Sequence, residues 1–189
     1  MKNDCLEAID KHLALTIQVK EELLDEIVKS AEMIIAALKR GNKLLLCGNG
    51  GSAADAQHIA AEFIGRFVRE RRSLPAIALT TDTSALTAIG NDYGFTQVFA
   101  RQVEGLAVKG DVLIAISTSG DSSNVLMAVE VAHENGCSVI GLTGATGGKL
   151  SAVSDICLNV PVTETARIQE MHLLIEHLLC DLADKALAD

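Results

Sequence analysis

The chain alternates short, unbroken apolar runs with longer stretches in which apolar residues return every three or four positions. Few architectures accept that alternation. A run such as Val112-Leu113-Ile114-Ala115-Ile116 has no polar face to turn to water, so as a strand it must be covered on both sides, as central parallel strands are. Strands are predicted at 43–47, 76–80, 111–117, 138–143 and 155–160. Helices are predicted between them at 52–67, at 84–89 with 96–106, at 122–135 and, briefly, at 149–153. A long amphipathic helix at 166–187 closes the chain. Ahead of the first strand Leu6, Ile9, Leu13, Leu24, Ile27, Ala31, Ile34 and Leu38 recur at helical spacing, giving two helices or one broken helix that stops at Gly41. The pattern is α/β: a five-stranded parallel, doubly wound sheet flanked by helices. It forms one domain over 1–189 in which residues 1–40 are an N-terminal helical extension. Right-handed crossovers and cover on both faces favour the strand order 2-1-3-4-5. Strands one and three are then neighbours whose loops diverge and open a crevice at the carboxyl edge.

Composition removes several classes of function. With 189 residues, 49% hydrophobic and 22% charged, the chain is globular rather than disordered. Its longest apolar runs fall far short of the about 20 residues that cross a bilayer, and the polar start Met1-Lys2-Asn3-Asp4 leads into no apolar leader, so a cytoplasmic location is expected. Five scattered cysteines, odd in number and without a C-x-x-C pair, read as reduced thiols. A net charge of -9 and 3% aromatic residues speak against a nucleic-acid partner. The one basic cluster, Arg66, Arg69, Arg71 and Arg72, reads as a solvated or interface-forming turn.

Two loops at the expected crevice carry anion-binding chemistry. After strand one, Gly48-Asn49-Gly50-Gly51-Ser52 feeds straight into a helix; glycines let the backbone bend, and the helix start offers unpaired N–H groups and a positive dipole end. Neither the lysine-bearing triphosphate loop nor the dinucleotide G-x-G-x-x-G spacing is present. After strand three, Ser117-Thr118-Ser119-Gly120-Asp121-Ser122-Ser123 again precedes a helix. Simple N-capping needs one hydroxyl, so this surplus suits the oxygens of a phosphate monoester.

In the helix after the first loop, His58 and Glu62 stand at i and i+4 and share a face. On the last helix Gln169 and His177 lie eight positions apart, about 80° around the axis. If the four converge, their nitrogen and oxygen donors are of a kind that binds zinc, although no H-E-x-x-H pattern is present. His12 and His133 read as solvated, His172 as packed or interfacial, and Asn91-Asp92-Tyr93-Gly94 as a turn whose side chains face sugar hydroxyls.

Taken together, Cys47-Gly48-Asn49-Gly50-Gly51-Ser52, Ala56-Gln57-His58, Gly90-Asn91-Asp92, Ile116-Ser117-Thr118-Ser119-Gly120 and Arg167-Ile168-Gln169-Glu170 with His177 resemble the phosphoheptose isomerase family of sugar-isomerase (SIS) domain proteins, over nearly the whole chain. The resemblance implies a flavodoxin-like SIS sheet. It also implies an aldose-ketose isomerase acting on D-sedoheptulose 7-phosphate and D-glycero-D-manno-heptose 7-phosphate through an enediol, the first step of bacterial heptose synthesis for lipopolysaccharide. By the same resemblance Glu62 is the base and His177 the acid. His58, Glu62, Gln169 and His177 hold one zinc ion per subunit. Asn49, Gly50, Gly51, Ser52, Glu62, Asn91, Asp92, Ser117, Thr118, Ser119, Ser122 and Gln169 contact the substrate, and the active sites lie between subunits of a homotetramer. Ala166 departs from certain members, which carry an acidic residue there. The Arg167–His172 stretch also resembles a non-catalytic SIS relative that binds the bacterial replication initiator, and a sugar-phosphate-sensing domain is a third reading. The presence of both Glu62 and His177 favours the enzyme.

Overall fold

The structure, a computed structural model, describes residues 1–188. Five parallel strands, β1 (Leu44–Gly48), β2 (Ala76–Ala78), β3 (Val112–Ile116), β4 (Ser138–Thr143) and β5 (Ile156–Asn159), form one sheet in the order β2-β1-β3-β4-β5. The helices are α1 (Lys2–Glu22), α2 (Leu24–Lys39), α3 (Gly51–Ile64), α4 (Thr83–Tyr93), α5 (Ala100–Leu106), α6 (Ser123–Glu134), α7 (Gly148–Val153) and α8 (Thr165–Leu187), with a single 3₁₀ turn at Phe95–Gln97.

Every residue of β1 and β3 is buried, and successive side chains sort onto two separate cores. Leu44, Leu46, Val112, Ile114 and Ile116 face α2, α3 and α8, whereas Leu45, Cys47, Leu113 and Ala115 face α5 and α6. Helix α3 therefore leaves β1 over one face of the sheet and α6 leaves β3 over the other, which parts their loops at the carboxyl edge.

Three expectations need correction. Asn91-Asp92-Tyr93 is not a turn: it is the last turn of α4, which continues to Gly94 because that glycine, at φ 85°, supplies the backbone that ends it. Among the basic cluster, Arg71 is buried rather than solvated. His12 is not simply solvated either, since its Nδ1 lies 2.8 Å from Glu170 and ties α1 to α8. The outer stripe of α1 is apolar yet open to solvent, with Leu6 49%, Ile9 56%, Leu13 56% and Ile17 56% exposed.

Candidate active site

The first loop is built by glycine. Gly50 takes φ 57°, a Cβ on Gly48 would collide with the backbone of Ser52, and one on Gly51 would collide with the Gln169 amide, which lies over the loop from α8. No side chain caps α3. Asn49 exchanges two 2.9 Å hydrogen bonds with Asn124 at the start of α6, so its amide joins the two loops. Asn124 closes the hydroxyl-rich run that follows β3, but nothing in the sequence pairs it with Asn49, 75 residues away.

In the second loop Ser117 Oγ lies 3.0 Å from Ser122 Oγ and 3.4 Å from Ser119 Oγ, so three hydroxyls gather at the end of β3. No side chain caps α6, which leaves these hydroxyls for a ligand rather than for the helix. A cavity of about 290 Å³ opens beside them, lined by Thr118, Ser119, Thr163, Thr165 and Ile168 among others.

Farther along α8, α3 presents His58 and Glu62 to that helix. His58 Nε2 stands 2.9 Å from His177 Nε2 and 3.7 Å from Glu62 Oε1. Burial, then the neighbouring His58, hold the His177 ring below the usual histidine range while Glu62 pulls it back up, so at neutral pH the ring is neutral. The cluster lies outside the cavity by the serine loop and opens on the surface, where the His58 side chain is 45% exposed. A carboxylate beside a neutral imidazole is a pair able to remove and deliver protons.

These donors suit zinc in kind, but their spacing is that of a hydrogen-bonded pair. Two nitrogens on one tetrahedral zinc, each at about 2.0–2.1 Å, stand roughly 3.3 Å apart, so the rings must part by a few tenths of an ångström. Accordingly no three His, Cys, Asp or Glu side chains are arranged as a metal cage among the described residues. Gln169 stands at the first loop against Gly51. Asn91 and Asp92 hydrogen-bond to each other at 2.7 Å and to none of the loop residues, on a helix with no buried residue.

The doubly wound sheet, with a hydroxyl loop at its switch point and a carboxylate–imidazole pair on α3 and α8, is that of a SIS domain, and the SIS domain family model matches residues 9–144. The phosphoheptose isomerase of Aliarcobacter butzleri is 56% identical over 188 residues, covering 100% of both chains. Among solved structures, a phosphoheptose isomerase from Neisseria gonorrhoeae has TM-score 0.93 and 49% identity, covering 97% of this chain and 98% of its own. One from Francisella tularensis has TM-score 0.93 and 43% identity, covering 98% and 99%. The chain belongs to the SIS domain family and, within it, to the phosphoheptose isomerases, which are enzymes.

Proposed function

We propose that the chain interconverts D-sedoheptulose 7-phosphate and D-glycero-D-manno-heptose 7-phosphate. The observation that carries this reading is the convergence of Glu62 and His177, through His58, in a member of this family. Moving the carbonyl from C2 to C1 requires that a proton leave C1 of the ketose, that an enediol form, and that a proton be returned to C2. Glu62 takes and returns the carbon-bound proton, and His177 moves the hydroxyl proton between O1 and O2. Ser117, Thr118, Ser119 and Ser122 hold the phosphate, with Gly50, Gly51 and Ser52 offering loop and helix-start N–H groups beside it. Asn49 and Gln169 line the first loop. His58, Glu62, Gln169 and His177 would hold zinc, which when bound supplies a Lewis acid for negative charge developing on oxygen.

Asn91 and Asp92 fit the same scheme if they serve a neighbouring subunit's site. The proposal extends to a homotetramer with sites between subunits, supported by the open α1 stripe, the uncovered α4 and the surface position of the acid–base cluster, and, from the family resemblance alone, to a cytoplasmic enzyme feeding lipopolysaccharide heptose.

Purified Glu62→Gln and His177→Gln should each lose about 10²–10⁴-fold in kcat with sedoheptulose 7-phosphate, while still binding it in calorimetry. Full activity in either variant overturns the assigned role. Dialysis against a chelator should abolish turnover and zinc re-addition restore it; activity indifferent to metal content removes zinc from the scheme.

A further inference from the structure

His177 has a single hydrogen-bond partner among the described residues, His58, so no polar group on the far side of the ring fixes its orientation. Rings do instead. The His58 ring meets it edge-on, at 5.2 Å between centroids and 71°, and the Phe67 ring lies against it at 5.2 Å and 33°.

Phe67 belongs to the segment 65–72 that follows α3, which has neither helix nor strand to hold it. Its rigidity comes from two side chains. The Arg71 guanidinium donates from Nε to Asp184 Oδ1 at 2.5 Å, from Nη2 to the Glu62 carbonyl at 2.9 Å and from Nη1 to the Phe63 carbonyl at 2.9 Å. It thereby satisfies carbonyls left open at the end of α3. Asp184, on α8, accepts the N–H groups of Val68 at 2.8 Å and Arg69 at 3.0 Å. Arg69 reaches Asp181, one turn away on α8, at 2.8 Å. The segment is thus pinned to both helices that carry the acid–base pair, with Phe67 between the pins.

We infer that Phe67 is a positioning residue for His177: the strap 65–72, locked by Arg71 and Asp184, presents its ring to the imidazole and sets how that ring faces His58 and Glu62. The inference rests on the acid–base reading above for its consequence in turnover, but not for its geometry. A ring partner in place of a hydrogen-bonded orienter is unusual for a histidine that would ligate metal; hydrogen-bonded orienters typically govern about 10–100-fold in affinity or activity, and the inference gives Phe67 that same task.

The test uses the full-length protein with Phe67→Ala and Phe67→Tyr, the second keeping the ring. Three quantities are read: the imidazole resonance of His177 in NMR, assigned by its loss in His177→Gln; the zinc dissociation constant by chelator competition; and kcat with KM for sedoheptulose 7-phosphate. Phe67→Ala is expected to shift the His177 resonance, weaken zinc about 10–100-fold and lower kcat by a similar factor, with KM within about threefold and a melting transition that is lowered, since Phe67 packs against the core, but still cooperative, and Phe67→Tyr to restore all three readouts. An unshifted resonance with wild-type zinc affinity in Phe67→Ala overturns the inference, as does a Phe67→Tyr protein equal to Phe67→Ala in those readouts. Should the unaltered chain turn over no heptose phosphate, the proposed reaction fails, and the resonance and the zinc titration still decide the role of Phe67.

Discussion

Glu176 is fully buried on α8, one position before His177, and neither carboxylate oxygen has a hydrogen-bond partner. Burial, then the facing Asp55 carboxylate, raise its pKa well above the usual carboxylate value. A group whose folded pKa is raised contributes fully below its unfolded value, near 4.5, and its contribution is lost as pH rises toward the folded one. His172, one turn earlier, acts in the opposite sense. Burial lowers its ring to about 4, so stability falls as pH drops from 6.5 toward 4. Glu176→Gln removes the first of these effects and keeps the shape. The variant should therefore be more stable than the parent at pH 7–8 by more than the about 0.5 kcal/mol of a neutral surface change, with the gap closing by pH 4. Urea unfolding across that range measures it, and a gap independent of pH would show that Glu176 is not the buried neutral acid described here. Nothing in the sequence separates Glu176 from the polar residues around it. Its identity as a buried acid depends on which way α8 turns against α3, a tertiary fact that the 3.6-residue period alone leaves open.

At the scale of elements, the Arg71–Asp184 pair decides whether α3 and α8 keep their alignment. Both side chains are 1% exposed. Burial pulls the Asp184 carboxyl up, but the N–H groups of Arg69 and Val68 and the Arg71 guanidinium outweigh it and hold it below the usual range. Removing one partner leaves the other charged and buried, so Arg71→Ala is expected to cost about 3–5 kcal/mol. Arg66→Ala, from an exposed pair with Glu70 in the same cluster, should cost under about 1 kcal/mol. Denaturant unfolding of the two variants checks this, and equal costs would remove the special standing of Arg71. The strands were readable because continuous apolar runs have one good use in an α/β chain, and the two loops because glycine and serine at a helix start have few others. The arginine cluster reads as uniform because four arginines in seven positions look alike in sequence, while Arg69 and Arg71 each meet a carboxylate more than 110 residues away, on α8, and of the four Arg71 alone is buried. The Asn49–Asn124 exchange was hidden for the same reason.

At the scale of the whole molecule, the same subunit leaves two surfaces uncovered. Leu6, Ile9, Leu13 and Ile17 make an apolar stripe along α1, and α4 has no buried residue although it ends in Asn91, Asp92 and an exposed Tyr93. A contiguous apolar stripe of this length on a subunit surface marks an interaction site, and its i, i+3, i+7, i+11 spacing suits a second helix laid alongside. The proposed assembly would satisfy both surfaces at once, another copy of the chain covering α1 and bringing Asn91 and Asp92 toward a neighbour's His58–Glu62–His177 cluster. Replacing Ile9 and Leu13 together by Asp puts two charges into that stripe without touching the sheet or either loop. The double variant should elute as a smaller species in light-scattering chromatography, retain its helical circular dichroism, and lose at least about tenfold in kcat/KM if sites are completed between subunits, a loss of about 1.4 kcal/mol in transition-state stabilisation. A small species with full activity would show that each subunit closes its own site, and an unchanged mass would show that α1 is not where the copies meet.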